Sequence, residues 1–178
     1  MSFPLPKHII IDGADGLGKT TICQMLGRKL QMPVVKMPNM KEYLDKGTPE
    51  EYSKMFNETI VQFADYDFIL DRGFTSSQAY SSAFGRDFDL RYLDNIENIL
   101  QPKVFILTGR RQNDIHYAGN QPTFHYQYFR TDESFNEEKV EIVDKEFANL
   151  AKRNGYTLIE VWGKSPQEVV DIIFRAVL

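Results

Sequence analysis

Gly13-Ala14-Asp15-Gly16-Leu17-Gly18-Lys19-Thr20 satisfies the pattern G-x-x-x-x-G-K-[ST] at every fixed position. Glycines at that spacing let a backbone curl until its N–H groups converge on an anion. A helix starting at the end of the loop adds the positive end of its dipole. The lysine then reaches the β- and γ-phosphates of a nucleotide, and the Thr20 hydroxyl is placed to ligate Mg2+. The flanks supply the context that this phosphate-binding loop needs. Lys7-His8-Ile9-Ile10-Ile11-Asp12 before it reads as a buried strand. After it, Ile22, Met25, Leu26 and Leu30 recur at helical spacing. Gly13, Asp15, Gly16, Leu17, Gly18, Lys19, Thr20 and Thr21 therefore form the expected donor site, with ATP and Mg2+ as the groups bound there.

The chain of 178 residues suits one domain around one core. Its 42% hydrophobic and 26% charged content is ordinary for a globular protein. A formal net charge of −4 argues against a broad nucleic-acid surface. The single cysteine, Cys23, falls on the apolar side of the helix after the loop and reads as a buried, inert thiol. A reducing, cytoplasmic setting is the expectation. No stretch approaches the ~20 apolar residues of a membrane span. The first residues lack the charged-then-apolar pattern of a secretory signal.

Strands and helices alternate along the chain. Residues 33–37 form a short second strand. Thr48-Pro49-Glu50-Glu51 is a helix start, with Thr48 as N-cap, proline at the first helical position and Glu51 closing a capping box. Tyr52, Met55, Phe56, Ile60 and Phe63 then mark the expected buried face. Residues 67–71 are a third strand, two helical stretches follow near 75–84 and 89–100, and residues 103–108 are a fourth strand. Residues 109–133 are polar and aromatic without periodicity; a loop of that length in a compact domain points to a functional lid. A capping box at Ser134-Phe135-Asn136-Glu137 opens a helix to about residue 153, which Gly155 ends. Residues 156–161 form a fifth strand. Ser165-Pro166-Gln167-Glu168 starts the last helix, with Val169, Val170, Ile173 and Val177 facing in. The pattern predicts an α/β fold of three layers, a five-stranded parallel sheet with helices on both faces. Ligands in such sheets bind at the carboxyl ends of the strands, where Asp12, Lys36, Asp71 and Thr108 fall.

Asp71-Arg72 closes the third strand on that rim. The carboxylate there suits Mg2+, and the guanidinium is a planar fork for a phosphate. The longer stretch Asp71-Arg72-Gly73-Phe74-Thr75-Ser76-Ser77-Gln78-Ala79-Tyr80 resembles the signature of the thymidylate kinase family, Asp-Arg-Tyr followed by Ser-Ser-x-Ala-Tyr. Asp15 matches the acidic third position of that family's phosphate loop. Lys36-Met37-Pro38 is similar to its Arg-x-Pro, and Arg130-Thr131-Asp132-Glu133-Ser134-Phe135 to the stretch after its lid. The resemblance spans most of the chain and implies a nucleoside monophosphate kinase-like fold of the P-loop class.

It also implies roles. Asp15 would accept the hydrogen bond of a sugar 3′-hydroxyl. Arg72, helped by Lys36, would grip the acceptor's phosphate, and Asp71 would serve the metal. Phe56 would stack on the acceptor base and Tyr80 would lie beside the sugar, disfavouring a 2′-hydroxyl. Gly163, Lys164 and Ser165 would line the ATP adenine. Homodimers are common in the family. Three departures stand out: Gly73 replaces an aromatic residue, Gly16 stands where one branch carries an arginine, and Asn57-Glu58-Thr59-Ile60 lacks the arginine that usually follows the stacking Phe. The missing loop arginine shifts attention to Arg110, Arg111 and Arg130 as catalytic cations. Asn57, Glu58 and Gln62 are left as readers of a base edge.

Phosphoryl transfer rests on positioning and charge neutralisation. A monophosphate acceptor needs no general base, whereas a hydroxyl acceptor benefits from a carboxylate such as Asp12, Asp15 or Asp71. The expectation is therefore transfer to a small nucleotide acceptor, a deoxynucleoside monophosphate. A kinase of a hydroxyl acceptor, a deoxynucleoside or a hydroxymethylated base in DNA, is the alternative. A regulatory ATPase or GTPase is the third reading, and the chain lacks the Asn-Lys-x-Asp that reads guanine.

Overall fold

The computed structural model describes residues 5–38, 47–109 and 137–178. Five strands, β1 (His8–Gly13), β2 (Val34–Lys36), β3 (Phe68–Asp71), β4 (Lys103–Thr108) and β5 (Thr157–Glu160), form one parallel sheet in the order β2-β3-β1-β4-β5. Among the described residues, five helices lie between the strands, α1 (Lys19–Leu30), α2 (Pro49–Val61), α3 (Phe74–Ala83), α4 (Tyr92–Leu100) and α5 (Glu137–Asn154), and α6 (Pro166–Val177) follows β5. The isoleucines of β1 are fully buried, as expected of a central strand covered on both faces. Helices α1 and α6 pack together beside β1–β3, while α3 and α5 pack together against β1 and β4. The three-layer expectation holds.

Local signals account for most boundaries. Thr48 and Ser165 both complete capping boxes, with Glu51 and Glu168, and each helix begins with proline. Gly155 adopts φ +72° after α5. Helices α1 and α4 end instead on Gln31 and Gln101, both left-handed, with φ of 57° and 45°. The lid expected over 109–133 and the capping box at 134–137 lie outside the described residues, Gly109 and the backbone of Glu137 excepted.

Helix α2 departs from its expected face. Tyr52, Phe56 and Ile60 are buried, but Met55 and Phe63 are 45% and 50% exposed. The buried stripe rotates toward Ser53 and Asn57, because polar partners await them there. Ser53 shares a short hydrogen bond with Ser77 of α3 and meets the Tyr92 hydroxyl at 3.1 Å. The Asn57 amide donates to the Ser53 carbonyl at 2.8 Å. A buried polar group is tolerated when hydrogen-bonded, so the stripe follows the partners rather than hydropathy alone. Phe63 lies beyond the helix end at Val61.

Phe147 of α5 is fully buried and meets the Tyr80 ring of α3 edge-on, with centroids 6.0 Å apart and planes at 87°. Phe147→Ala should therefore cost about 3–5 kcal/mol of stability, read as a lower midpoint in urea unfolding. A loss below about 1 kcal/mol would show that this layer repacks freely.

Candidate active site

Strand register brings the site together. Asp71 lies opposite Ile11 on one side and Lys36 on the other, Gly13 opposite Leu107, and Thr108 opposite Glu160. The ends of all five strands thus share one rim. Gly13 opens the phosphate loop with φ +141°, and a Cβ there would stand 2.3 Å from the Leu107 carbonyl oxygen. Only glycine fits that close approach. Gly16 and Gly18 are left-handed, and the loop turns directly into α1 through the hydrogen bond from the Ile22 N–H to the Gly18 carbonyl at 3.1 Å. Leu17 points into the core and is 1% exposed.

Lys19 is buried within the loop, where its ammonium donates to the Ala14 carbonyl. Thr20 donates to Asp71 Oδ2 at 2.6 Å. Asp71 Oδ1 is buried and has no hydrogen-bond partner among the described residues. Arg72 follows with φ +72°, a left-handed conformation that costs a non-glycine residue about 1–2 kcal/mol. Its guanidinium turns back onto the phosphate loop. It pairs with Asp15 and donates to the Tyr80 hydroxyl at 3.3 Å, while that hydroxyl donates to Asp15 Oδ2 at 3.2 Å. Asp15, Arg72 and Tyr80 thus close a three-membered ring of hydrogen bonds between the loop, β3 and α3.

No family model matches the sequence, and no curated protein matches it. Solved structures do match its fold. Thymidylate kinase from Candida albicans superposes with a TM-score of 0.62 at 18% identity, covering 99% of this chain and 92% of that one. The YorR protein of Bacillus subtilis, solved in complex with phosphorylated GDP, gives 0.63 at 22% identity over 95% of both chains. Shikimate kinase from Acinetobacter baumannii gives 0.64 at 15% identity over 97% and 93%. The fold is that of the P-loop kinases. Structures with acceptors as different as these share it, so the P-loop kinase fold by itself selects no acceptor.

The electrostatics of this P-loop follow from burial and close pairing. Burial works to raise the Asp15 carboxyl, but Arg72 and Lys19 outweigh it and bring it to about 2. Burial and the adjacent Arg72 lower the Lys19 ammonium to about 8, against the pull of Asp15, Asp12 and Asp71. Burial raises the Tyr80 phenol to about 12, so it remains a neutral donor at neutral pH. Cys23 is buried and its thiol is pushed up by burial, in keeping with an inert side chain.

The donor set at Thr20 and Asp71 fits Mg2+. Both side chains offer oxygen, which a hard cation takes, and the orphaned Asp71 Oδ1 is a buried acceptor whose pairing would remove a desolvation penalty. Among the described residues no cluster of three or more His, Cys, Asp or Glu side chains competes as a metal site.

Among the described residues, the other expected positions divide between the rim and α2. Lys36 ends β2 in register with Asp71 but is exposed and joins no ion pair among the described residues. Phe56 is 9% exposed and packs in the core. Asn57 is 2% exposed with its amide bound to Ser53, Glu58 is exposed on α2, and Gln62 is the exposed C-cap after it. Gly163, Lys164 and Ser165 follow β5 on the same rim, next to β4 through the bond from the Val161 N–H to the Thr108 carbonyl at 2.9 Å. Lys164 reaches back to the Glu160 carbonyl at 2.7 Å, and Ser165 caps α6. Arg110, Arg111 and Arg130 lie outside the described residues.

Asp12 overturns its reading as a general base. It is fully buried, and both oxygens are taken by hydrogen bonds from Gly13, Gly73, Thr75 and Ser76. Sequence reading also missed Asp144 of α5, which accepts from Thr108 at 2.8 Å and whose carboxyl burial pushes upward. Its spacing on an amphipathic helix carries no signal that separates it from a surface carboxylate.

The Asp15 carboxyl is held below its ordinary value in the folded chain, so its pairing stabilises above pH about 4 and is lost as pH falls through about 2. Asp15→Asn removes that contribution. The stability gap between wild type and variant should be about 1–2 kcal/mol near neutrality. It should shrink steadily in urea melts taken from pH 4 toward pH 2; a gap independent of pH would refute the ion pair.

Proposed function

We propose that this chain transfers the γ-phosphoryl group of ATP, with Mg2+, to the phosphate of a deoxynucleoside monophosphate, as a thymidylate kinase-like enzyme. The observation that carries this reading is the Arg72 guanidinium lying against Asp15 of the phosphate loop itself. A cation suited to a phosphate therefore stands beside the cradle that holds the donor's phosphates, in one cleft, as in-line transfer between two anions requires.

In this reading the loop N–H groups and Lys19 hold the donor's β- and γ-phosphates. Lys19 leaves the Ala14 carbonyl for the phosphate oxygens, which favour its charged form. Thr20 and Asp71 would hold Mg2+, which would neutralise phosphate charge. Arg72 exchanges Asp15 for the acceptor's phosphate. That frees Asp15 to accept from a sugar hydroxyl, with Tyr80 alongside. Lys36 adds positive charge at the strand end, Gly163 to Ser165 flank the adenine, and Phe56 packs in the core rather than stacking on the acceptor base. Arg110, Arg111 and Arg130 supply further charge during transfer. The setting is cytoplasmic.

The carboxylates weigh against a hydroxyl acceptor. Asp12 is saturated by donors, Asp71 serves Thr20, and Asp15 at about 2 is a poor base.

A panel of nucleosides, deoxynucleoside monophosphates and hydroxymethylated DNA, each with ATP and Mg2+, tests the assignment. Product from monophosphates alone is expected; product from hydroxyl acceptors alone would replace it, and nucleotide hydrolysis without transfer would point to a regulatory module. Lys19→Ala should lower kcat roughly 100- to 1,000-fold through lost stabilisation of the moving charge. Arg72→Lys keeps the charge but loses the fork, so acceptor KM should rise roughly tenfold or more while ATP KM changes little. Equal effects on both substrates would place Arg72 in the donor site instead.

A further inference from the structure

We propose that Asp12 is a positioning residue that sets the acceptor cation relative to the donor cradle; the inference rests on the kinase reading above. Its carboxylate is 0% exposed. Oδ1 accepts from the Gly13 N–H at 2.9 Å and the Ser76 hydroxyl at 2.8 Å. Oδ2 accepts from the Gly73 N–H at 3.2 Å, the Thr75 hydroxyl at 2.6 Å and the Ser76 hydroxyl at 2.9 Å. One side chain thus joins the first residue of the phosphate loop to the segment directly after Arg72.

Burying a carboxylate is costly, and a hydrophobic contact would hold two segments together as well. What a hydrophobic contact lacks is direction. The Arg72 N–H donates to the Ile11 carbonyl at 3.1 Å, and the next N–H, of Gly73, donates to Asp12. Two successive residues of β1 therefore clamp the backbone on either side of the left-handed Arg72. Because β1 runs straight into the cradle, these clamps fix where the guanidinium points relative to the donor's phosphates. The same carboxylate faces the first turn of α3, whose Thr75 and Ser76 hydroxyls tie in the helix that also carries Tyr80.

Asp12→Asn tests this. The Thr75 and Ser76 hydroxyls can rotate to suit an amide, but the Gly13 and Gly73 N–H groups cannot, so the amide nitrogen must face one of them and sever the bridge between the phosphate loop and the segment after Arg72. The readouts are thermal unfolding, Kd for Mg-ADP, Kd for adenosine-to-deoxynucleoside pentaphosphates carrying each of the four DNA bases, and kcat. We expect a folded variant with Mg-ADP affinity within threefold of wild type. Its best bisubstrate affinity should fall at least 30-fold and kcat at least 100-fold. A folded variant that binds the bisubstrate probe as wild type does would overturn the inference. Should Asp12→Asn not fold, Ser76→Ala removes the hydroxyl that bridges both oxygens. It should lower kcat three- to tenfold at unchanged Mg-ADP affinity, and an unchanged kcat, or an equal loss of Mg-ADP binding, would overturn it. If wild type binds no bisubstrate probe more tightly than Mg-ADP, the two-phosphate reading itself fails, and the Asp12 role falls with it.

Discussion

A carboxylate sealed from water must have its lone pairs filled, and in this chain that requirement organises the strand-end rim. Asp12 gathers donors from the phosphate loop and from the start of α3, segments some 60 residues apart in sequence (61 between Asp12 and Gly73). Around it the parallel sheet brings every strand end to one rim, and β1, at the centre of the order β2-β3-β1-β4-β5, leads directly into the loop. Asp71 and Arg72 arrive on the neighbouring strand. The arrangement of charges in the cleft is then a consequence of register: one acidic residue bound to Thr20, one bound to the arginine, and one consumed as an internal fastener.

Much of the architecture was legible because it is written in local terms. The phosphate loop is a contiguous string whose glycines are required by backbone geometry. The capping boxes at Thr48 and Ser165 are four-residue signatures that the structure reproduces in full. The central strands β1, β3 and β4 stand out because their buried stretches are apolar runs. Asp71 and Arg72 were readable for the same reason, sitting at the end of such a run.

The site was less legible wherever a partner comes from far along the chain. That Arg72 would lie on Asp15, or that Asp12 would be used up internally, depends on which strands neighbour each other, and no local pattern reports that. Helix α2 teaches the same lesson. Hydropathy selected Met55 and Phe63, but Ser53 and Asn57 take the inward face because Ser77 and Tyr92 are there to receive them. Gly73 also sits in a tight place: a Cβ at that position would press on the Ile10 side chain at 3.2 Å.

The ends of α1 and α4 have a practical consequence. Both terminate on a glutamine with positive φ, where a side chain brings steric cost and glycine brings none. Neither residue contributes to the charged cleft. Thermal robustness is therefore recoverable at two exposed turns without touching the chemistry, which offers a sturdier parent for variants that weaken the core.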